Sequence, residues 1–174
     1  MNRKERMRRA VQYETVDRLP TQINYTAGMG ELMAKHYGVS TEELPAFLGN
    51  HMVRVDLTFP ERLSDDGKLR YDWWGAGHAT EEEGYFVADN PLAENRDLDA
   101  FDWPDPNAAG LLERAEKTAA KYRDEYFITP NFGFALFERS WALRGFDNMF
   151  VDMAEDPEYT MELMDRVTEI QLML

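Results

Sequence analysis

Asp56 is the first side chain in this sequence whose type and position invite chemistry. It lies near the end of an apolar, β-prone run over residues 51–57 that carries Met52, Val53, Val55 and Leu57 and stops at Thr58, Phe59 and Pro60. A carboxylate at the C-terminal end of a largely buried strand can accept several hydrogen bonds or relay a proton. An aspartate that caps a turn or pairs with a cation fits the same place, and both readings stay open. Asn24, Tyr25, Asn131 and Phe132 fall at or just past the ends of two other strand-like runs, where amides and rings can line a pocket. Turn chemistry accounts for the asparagines equally well. Asp72 and Trp74, with Tyr71 and Trp73, can wall a cavity mouth or cover core.

Other chemistries are excluded by type or spacing. Cysteine is absent, so the segment has no thiolate nucleophile, no disulfide and no sulfur ligand, which fits a reducing cytoplasm. His36, His51 and His78 are isolated from one another and have no metal-ligand spacing, so no metal site is expected. Gly28 and Gly30 lack the Gly-Lys-Ser/Thr ending of a phosphate loop and read as a flexible loop beside the site. With 33 acidic and 19 basic side chains the formal charge is -14, which repels phosphate backbones and anionic lipid, so neither nucleic acid nor membrane is an expected partner. The basic N-terminus runs into Ala10, Val11 and Gln12 without the apolar stretch of a secretory signal.

The elements that must hold these residues alternate between strand and helix patterns. Asn2 caps a helix to about Tyr13 with Met7, Ala10 and Val11 as its apolar stripe. Residues 19–25 form a first strand entering a glycine-containing loop, and residues 31–37 and 41–48 form two short helices, stopped by Gly38 and opened by Ser40 respectively. Residues 51–57 are the second strand. Residues 68–74 and 85–88 form a hairpin excursion around Glu81, Glu82, Glu83 and Gly84. A helix over residues 108–123, a third strand over 126–129, a helix over 135–144 stopped by Gly145, and a helix opened by Asp156 and Pro157 and running to Leu174 complete the pattern. Such alternation implies an α/β fold with a parallel sheet. The uncapped apolar terminal helix reads as interrupted rather than finished.

Four stretches together resemble the uroporphyrinogen decarboxylase and cobamide methyltransferase superfamily: Asn2-Arg3-Lys4-Glu5-Arg6 leading to Val16-Asp17-Arg18-Leu19-Pro20, then Val55-Asp56-Leu57-Thr58, Asp72-Trp73-Trp74-Gly75, and Asn131-Phe132-Gly133 through Gly145. The resemblance spans nearly the whole chain. It implies that residues 1–174 are the N-terminal portion of a (β/α)8 TIM barrel, incomplete, with chemistry at the C-terminal ends of its strands. In the decarboxylases the aspartate matching Asp56 holds pyrrole nitrogens and stabilises a protonated pyrrole. Their arginine-bearing opening stretch is replaced here by Thr21-Gln22-Ile23-Asn24-Tyr25-Thr26, for which Arg54 or Arg62 compensates only in part. Their tyrosine after the third strand falls at Trp141. These departures resemble the methyltransferase side, whose members move methyl groups between a corrinoid or corrinoid protein and a small acceptor activated by zinc. That zinc is held by a His-x-Cys pair and a later Cys in the second half of the barrel, and none of these ligands can be carried over to this segment, which would be inert alone. The alternatives are a tetrapyrrole carboxy-lyase and a non-catalytic half-barrel that pairs with a second chain, including its own copy, through unfinished sheet edges.

Overall fold

A computed structural model describes residues 1–81, 86–131 and 133–174. In chain order it contains α1 (Arg3–Val11), α2 (Ala27–Tyr37), α3 (Leu44–Phe47), β1 (Met52–Asp56), β2 (Arg62–Leu63), β3 (Leu69–Tyr71), β4 (Gly77–Ala79), β5 (Val87–Asp89), α4 (Glu113–Tyr122), β6 (Phe127–Asn131), α5 (Leu136–Arg144), α6 (Phe146–Glu155) and α7 (Pro157–Met173). The fold is mixed α/β, and among the described residues no helix is long and apolar enough to cross a membrane. The chain divides into two compact units, Met1–Leu57 with Leu112–Asn131, and Thr58–Leu111 with Phe132–Leu174.

The first unit is built on β1 and β6, which pair in parallel from Met52 beside Phe127 to Asp56 beside Asn131. The helix between them, α4, packs on this pair, so β1, α4 and β6 make a β-α-β arrangement. Among the described residues two strands, not three, form the parallel sheet. Residues 19–25 form no strand: Pro20 has no N–H, and although Thr21 O accepts from His51 N at 3.1 Å, the backbone of Ile23 is bonded by a side chain. The amide of buried Asn50 brackets Ile23, accepting from its N–H at 2.9 Å and donating to its carbonyl at 3.0 Å, while Gln22 Oε1 accepts from Met52 N.

Helix α1 starts where Asn2 Oδ1 accepts from Glu5 N, as its cap residue predicts. Its buried face is not the expected Met7, Ala10 and Val11 stripe. Val11 is exposed and the buried residue is Arg6, whose guanidinium grips Asp17 at 2.6 and 2.8 Å and donates to His51 Nε2 at 3.0 Å. Because arginine only donates, Nε2 is the acceptor, while Nδ1 lies 3.1 Å from Thr21 O and 3.2 Å from Thr21 N. Burial and the neighbouring Arg6 hold the His51 pKa below its ordinary value, and the Arg6 guanidinium holds the Asp17 carboxyl well below the usual range. Arg3 adds bonds to Ala46 O, Glu125 and Tyr126, so α1 is fastened at the N-terminal ends of the strands.

Gly28 and Gly30 sit inside α2 rather than in a flexible loop. Thr26 caps that helix by accepting from Met29 N, and a Cβ on Gly30 would lie 2.9 Å from the Tyr25 ring, so a larger residue there would have to displace that ring. Ser40 and Glu43 form a reciprocal capping box ahead of α3, as the Ser40 cap predicts, but the helix itself is only four residues. Helix α4 is shorter than expected, since Gly110 at φ 89° and the Asp105 turn bonded to Asn107 N break the run before Leu112.

In the second unit β2, β3, β4 and β5 form an antiparallel sheet in chain order, more than the hairpin read from sequence. The β3–β4 connection is the Asp72–Ala76 turn, and Glu82, Glu83, Gly84 and Tyr85 of the expected hairpin lie outside the described residues. A Cβ on Gly77 would meet Asp89 Cβ at 2.9 Å, which fixes glycine where β4 and β5 approach closely. The three helices α5, α6 and α7 enclose Leu143, Met149, Leu163 and Val167, all fully buried, with Trp74, Leu92 and Leu98 supplied by the preceding loops. Each such aliphatic side chain contributes about 1.5–3 kcal/mol by leaving water. Arg144 ties the helices to those loops, pairing with Asp152 at 2.6 Å and donating to Leu92 O at 2.8 Å. The helix α6 follows directly on Gly145, whose φ of 94° ends α5. Asp156 caps α7 by accepting from Tyr159 N, with Pro157 at the first helical position, as expected.

Candidate functional site

Alternation along β1 sorts its side chains onto two faces. Val53 lines a cavity of about 550 Å³ together with Ala46, Lys121, Tyr122 and Tyr126, which places it on the α3 and α4 side. Arg54 and Asp56 therefore project from the opposite face, beside their register partners Thr129 and Asn131. There the side chains meet. Asn131 Nδ2 donates to Asp56 Oδ1 at 2.7 Å, and Arg54 Nε lies 3.0 Å from the same oxygen. Thr129 Oγ1 contacts Met52 Sδ one layer below at 3.6 Å. The carboxylate is about one-third exposed and Arg54 two-thirds exposed, so the cluster can accept a hydrogen bond from a ligand while Asn131 and Arg54 orient the carboxylate.

Asp56, Arg54 and Asn131 are thus brought together. Thr129 was not expected among them, because the strand read as 126–129 ended two residues early and hid its shared face with Asn131. Asn24 is exposed near the Gln22 amide at 3.4 Å, and Tyr25 is spent on covering Gly30, its phenol pKa raised by burial. Neither makes a contact with the Asp56 cluster among the described residues. Phe132 lies outside the described residues.

The remaining expected residues belong to the second unit, where they have structural work. Asp72 Oδ1 accepts from Trp74 N and Ala76 N, both at 3.0 Å, and Oδ2 accepts from buried Arg139 at 2.6 Å with His78 Nε2 at 3.4 Å. Trp74, at 4% exposure, is a core residue under the Arg139 guanidinium, 5.2 Å from the ring centroid. Trp141 packs against the same core and meets Phe146 edge-on at 5.7 Å. Among the described residues no group of three His, Cys, Asp or Glu side chains is placed to hold a metal ion.

Compared with family models, curated proteins and solved structures, the chain matches none of them.

Proposed function

We propose that residues 1–174 are the opening part of a cytoplasmic (β/α)8 barrel of the uroporphyrinogen decarboxylase and cobamide methyltransferase superfamily, of the corrinoid-linked methyl-transfer type. The observation that carries this reading is the hydrogen bond between Asp56 and Asn131, side by side at the C-terminal ends of adjacent parallel strands on the face turned away from α4. In a barrel of this kind that face is the interior, and those ends hold the reacting groups. A row of Arg54, Asp56, Thr129 and Asn131 offers both donors and acceptors, which suits the amide-fringed edge of a corrinoid or a small polar acceptor.

The chemistry of the residues favours methyl transfer over decarboxylation of a polycarboxylate. Residues 21–26 hold no cation, Thr21 and Gln22 are bonded to Gly49 O and Met52 N, and the Arg54 guanidinium is paired within the protein to Asp56. Bidentate gripping of several substrate carboxylates needs uncommitted guanidinium groups. When bound, a corrinoid supplies a transferable methyl group. This chain contributes a positioned acceptor at Asp56 and a donor at Asn131 that orient what binds there.

Titration with methylcobalamin, followed through its visible absorption, tests the reading. Saturable binding that weakens at least tenfold in Asp56→Asn and Asn131→Ala, with unchanged circular dichroism, is the expected result. Absence of any cobalamin perturbation, together with carbon dioxide release from uroporphyrinogen that requires Asp56, overturns it in favour of a carboxy-lyase. Absence of both activities from a stable dimer points instead to a non-catalytic half-barrel.

A further inference from the structure

The second unit carries a cavity of about 390 Å³, the size of a small-molecule site, that the Asp56 cluster does not explain. Trp73 and Phe101 supply its rings, Glu61 and Asp102 sit exposed at its rim, and Arg62 lies on one side. Its floor is rigid. Asp72 staples the turn that carries Trp73 through Trp74 N and Ala76 N, and Gly75, at φ 84°, brings the backbone against Pro91 and Phe101 where a Cβ would lie 3.8–4.0 Å from them. Trp73 is held from outside by Phe59, stacked at 4.7 Å and 21°, and from the side by Trp74 at 5.6 Å and 80°.

We propose that this cavity binds a small N-methylated ammonium ion, with Trp73 and Phe101 as its aromatic walls and Glu61 and Asp102 as its counter-charges. The negative face of an aromatic ring attracts a cation, most strongly on tryptophan, and a quaternary ammonium needs no hydrogen-bond acceptor. That last point separates it from a primary ammonium. The carboxylate deepest in the lining, Asp72, already accepts four contacts from Trp74 N, Ala76 N, Arg139 and His78, so it has little left for an N–H donor. The overall charge of -14 raises the local concentration of any cation. Two cations oppose it: Arg62, whose guanidinium is held 3.7 Å over the Tyr71 ring, and Arg70, whose Nε lies 3.8 Å from Glu61 Oε2. The site stands on the second unit alone and does not depend on the corrinoid reading.

Tryptophan fluorescence and indole N–H shifts, recorded on the intact chain during titration with tetramethylammonium and with choline, test the proposal. Saturable binding of both is expected, about tenfold weaker in Trp73→Ala, largely restored in Trp73→Phe, weakened in the Glu61→Gln, Asp102→Asn pair and strengthened in Arg62→Gln. The neutral choline isostere 3,3-dimethylbutan-1-ol should not compete. Equal binding of that alcohol, tighter binding of methylamine than of tetramethylammonium, or no saturable shift in the folded wild type would each overturn it. Thermal melts of Trp73→Phe and Arg62→Gln guard against misfolding: Trp73 packs against the core, so the phenylalanine variant keeps a ring in its place, and Arg62 is an exposed residue.

Discussion

Asp72 shows how much one carboxylate can organise. Four donors converge on it, one of them the guanidinium of Arg139, which is 6% exposed. Removing the acceptor leaves that cation buried without a counter-charge, which costs far more than a surface pair gains. Asp72→Ala should lower stability by about 3 kcal/mol in urea unfolding, and a loss under 1 kcal/mol would mean that Arg139 finds water instead. Asp56 is the opposite case. It is partly exposed and its neighbours are a solvent-exposed arginine and an amide, so Asp56→Asn should leave the melting temperature nearly unchanged while removing ligand binding. At this scale sequence showed which residue types could act but not which would meet. Asp56 and Asn131 are 75 positions apart, and only the strand register, invisible in one sequence, sets them side by side. Asp72 and Trp74 had the right types for a site, yet the turn they occupy uses one as a staple and the other as core.

Helix α1 illustrates what element-scale reading catches and misses. Its cap and extent follow from Asn2, whereas its buried contact is ionic and leaves no hydrophobic period to detect. That contact makes a pH prediction. The folded pKa of His51 lies below its ordinary value of 6.5, so the unfolded chain takes up a proton first as pH falls. Stability is then full above about 6.5 and declines as pH drops from there toward the folded pKa. A lower melting temperature at pH 5.5 than at pH 7.5, flattened in His51→Gln, is expected, and identical melts in the wild type would refute the coupling. Helix α6 was missed although Phe146, Met149, Phe150 and Met153 recur at helical spacing, because Gly145 read as a stop and not as a hinge between two helices. In α7, Leu163 is fully buried between helices, and Leu163→Ala should cost about 2–5 kcal/mol by calorimetry or denaturant titration.

For the whole molecule, charge and exposed backbone act against each other. Among the described residues β1 and β6 pair only with each other, so each presents an outer edge that a further strand can join. The charge of -14 keeps copies apart at low ionic strength, and salt shortens that repulsion to about 3 Å at 1 M. Sedimentation velocity should therefore show a small species in dilute buffer and larger ones as salt rises, with no change across that range counting against exposed edges. The mixed α/β class was legible from alternating patterns, but the antiparallel order of β2 to β5 was not. Its strands of two or three residues are too short to set a period, and their pairing rests on contacts such as Tyr71 Oη to Asp89 at 2.8 Å.

The two units are interleaved in the chain, since each is assembled from two separated stretches. The ribosome therefore releases β1 long before its partner β6, and the antiparallel strands in between can close by local turns while β1 waits. Each turn formed there shortens the effective loop that the β1–β6 pairing must close, lowering the entropy lost at that step. In chain order the local sheet is complete first, the parallel pair with its Asp56–Asn131 contact becomes possible second, and the α5–α7 layer emerges last. A nascent chain stalled before Asn131 has no means of assembling the polar cluster, however completely the residues behind it have folded.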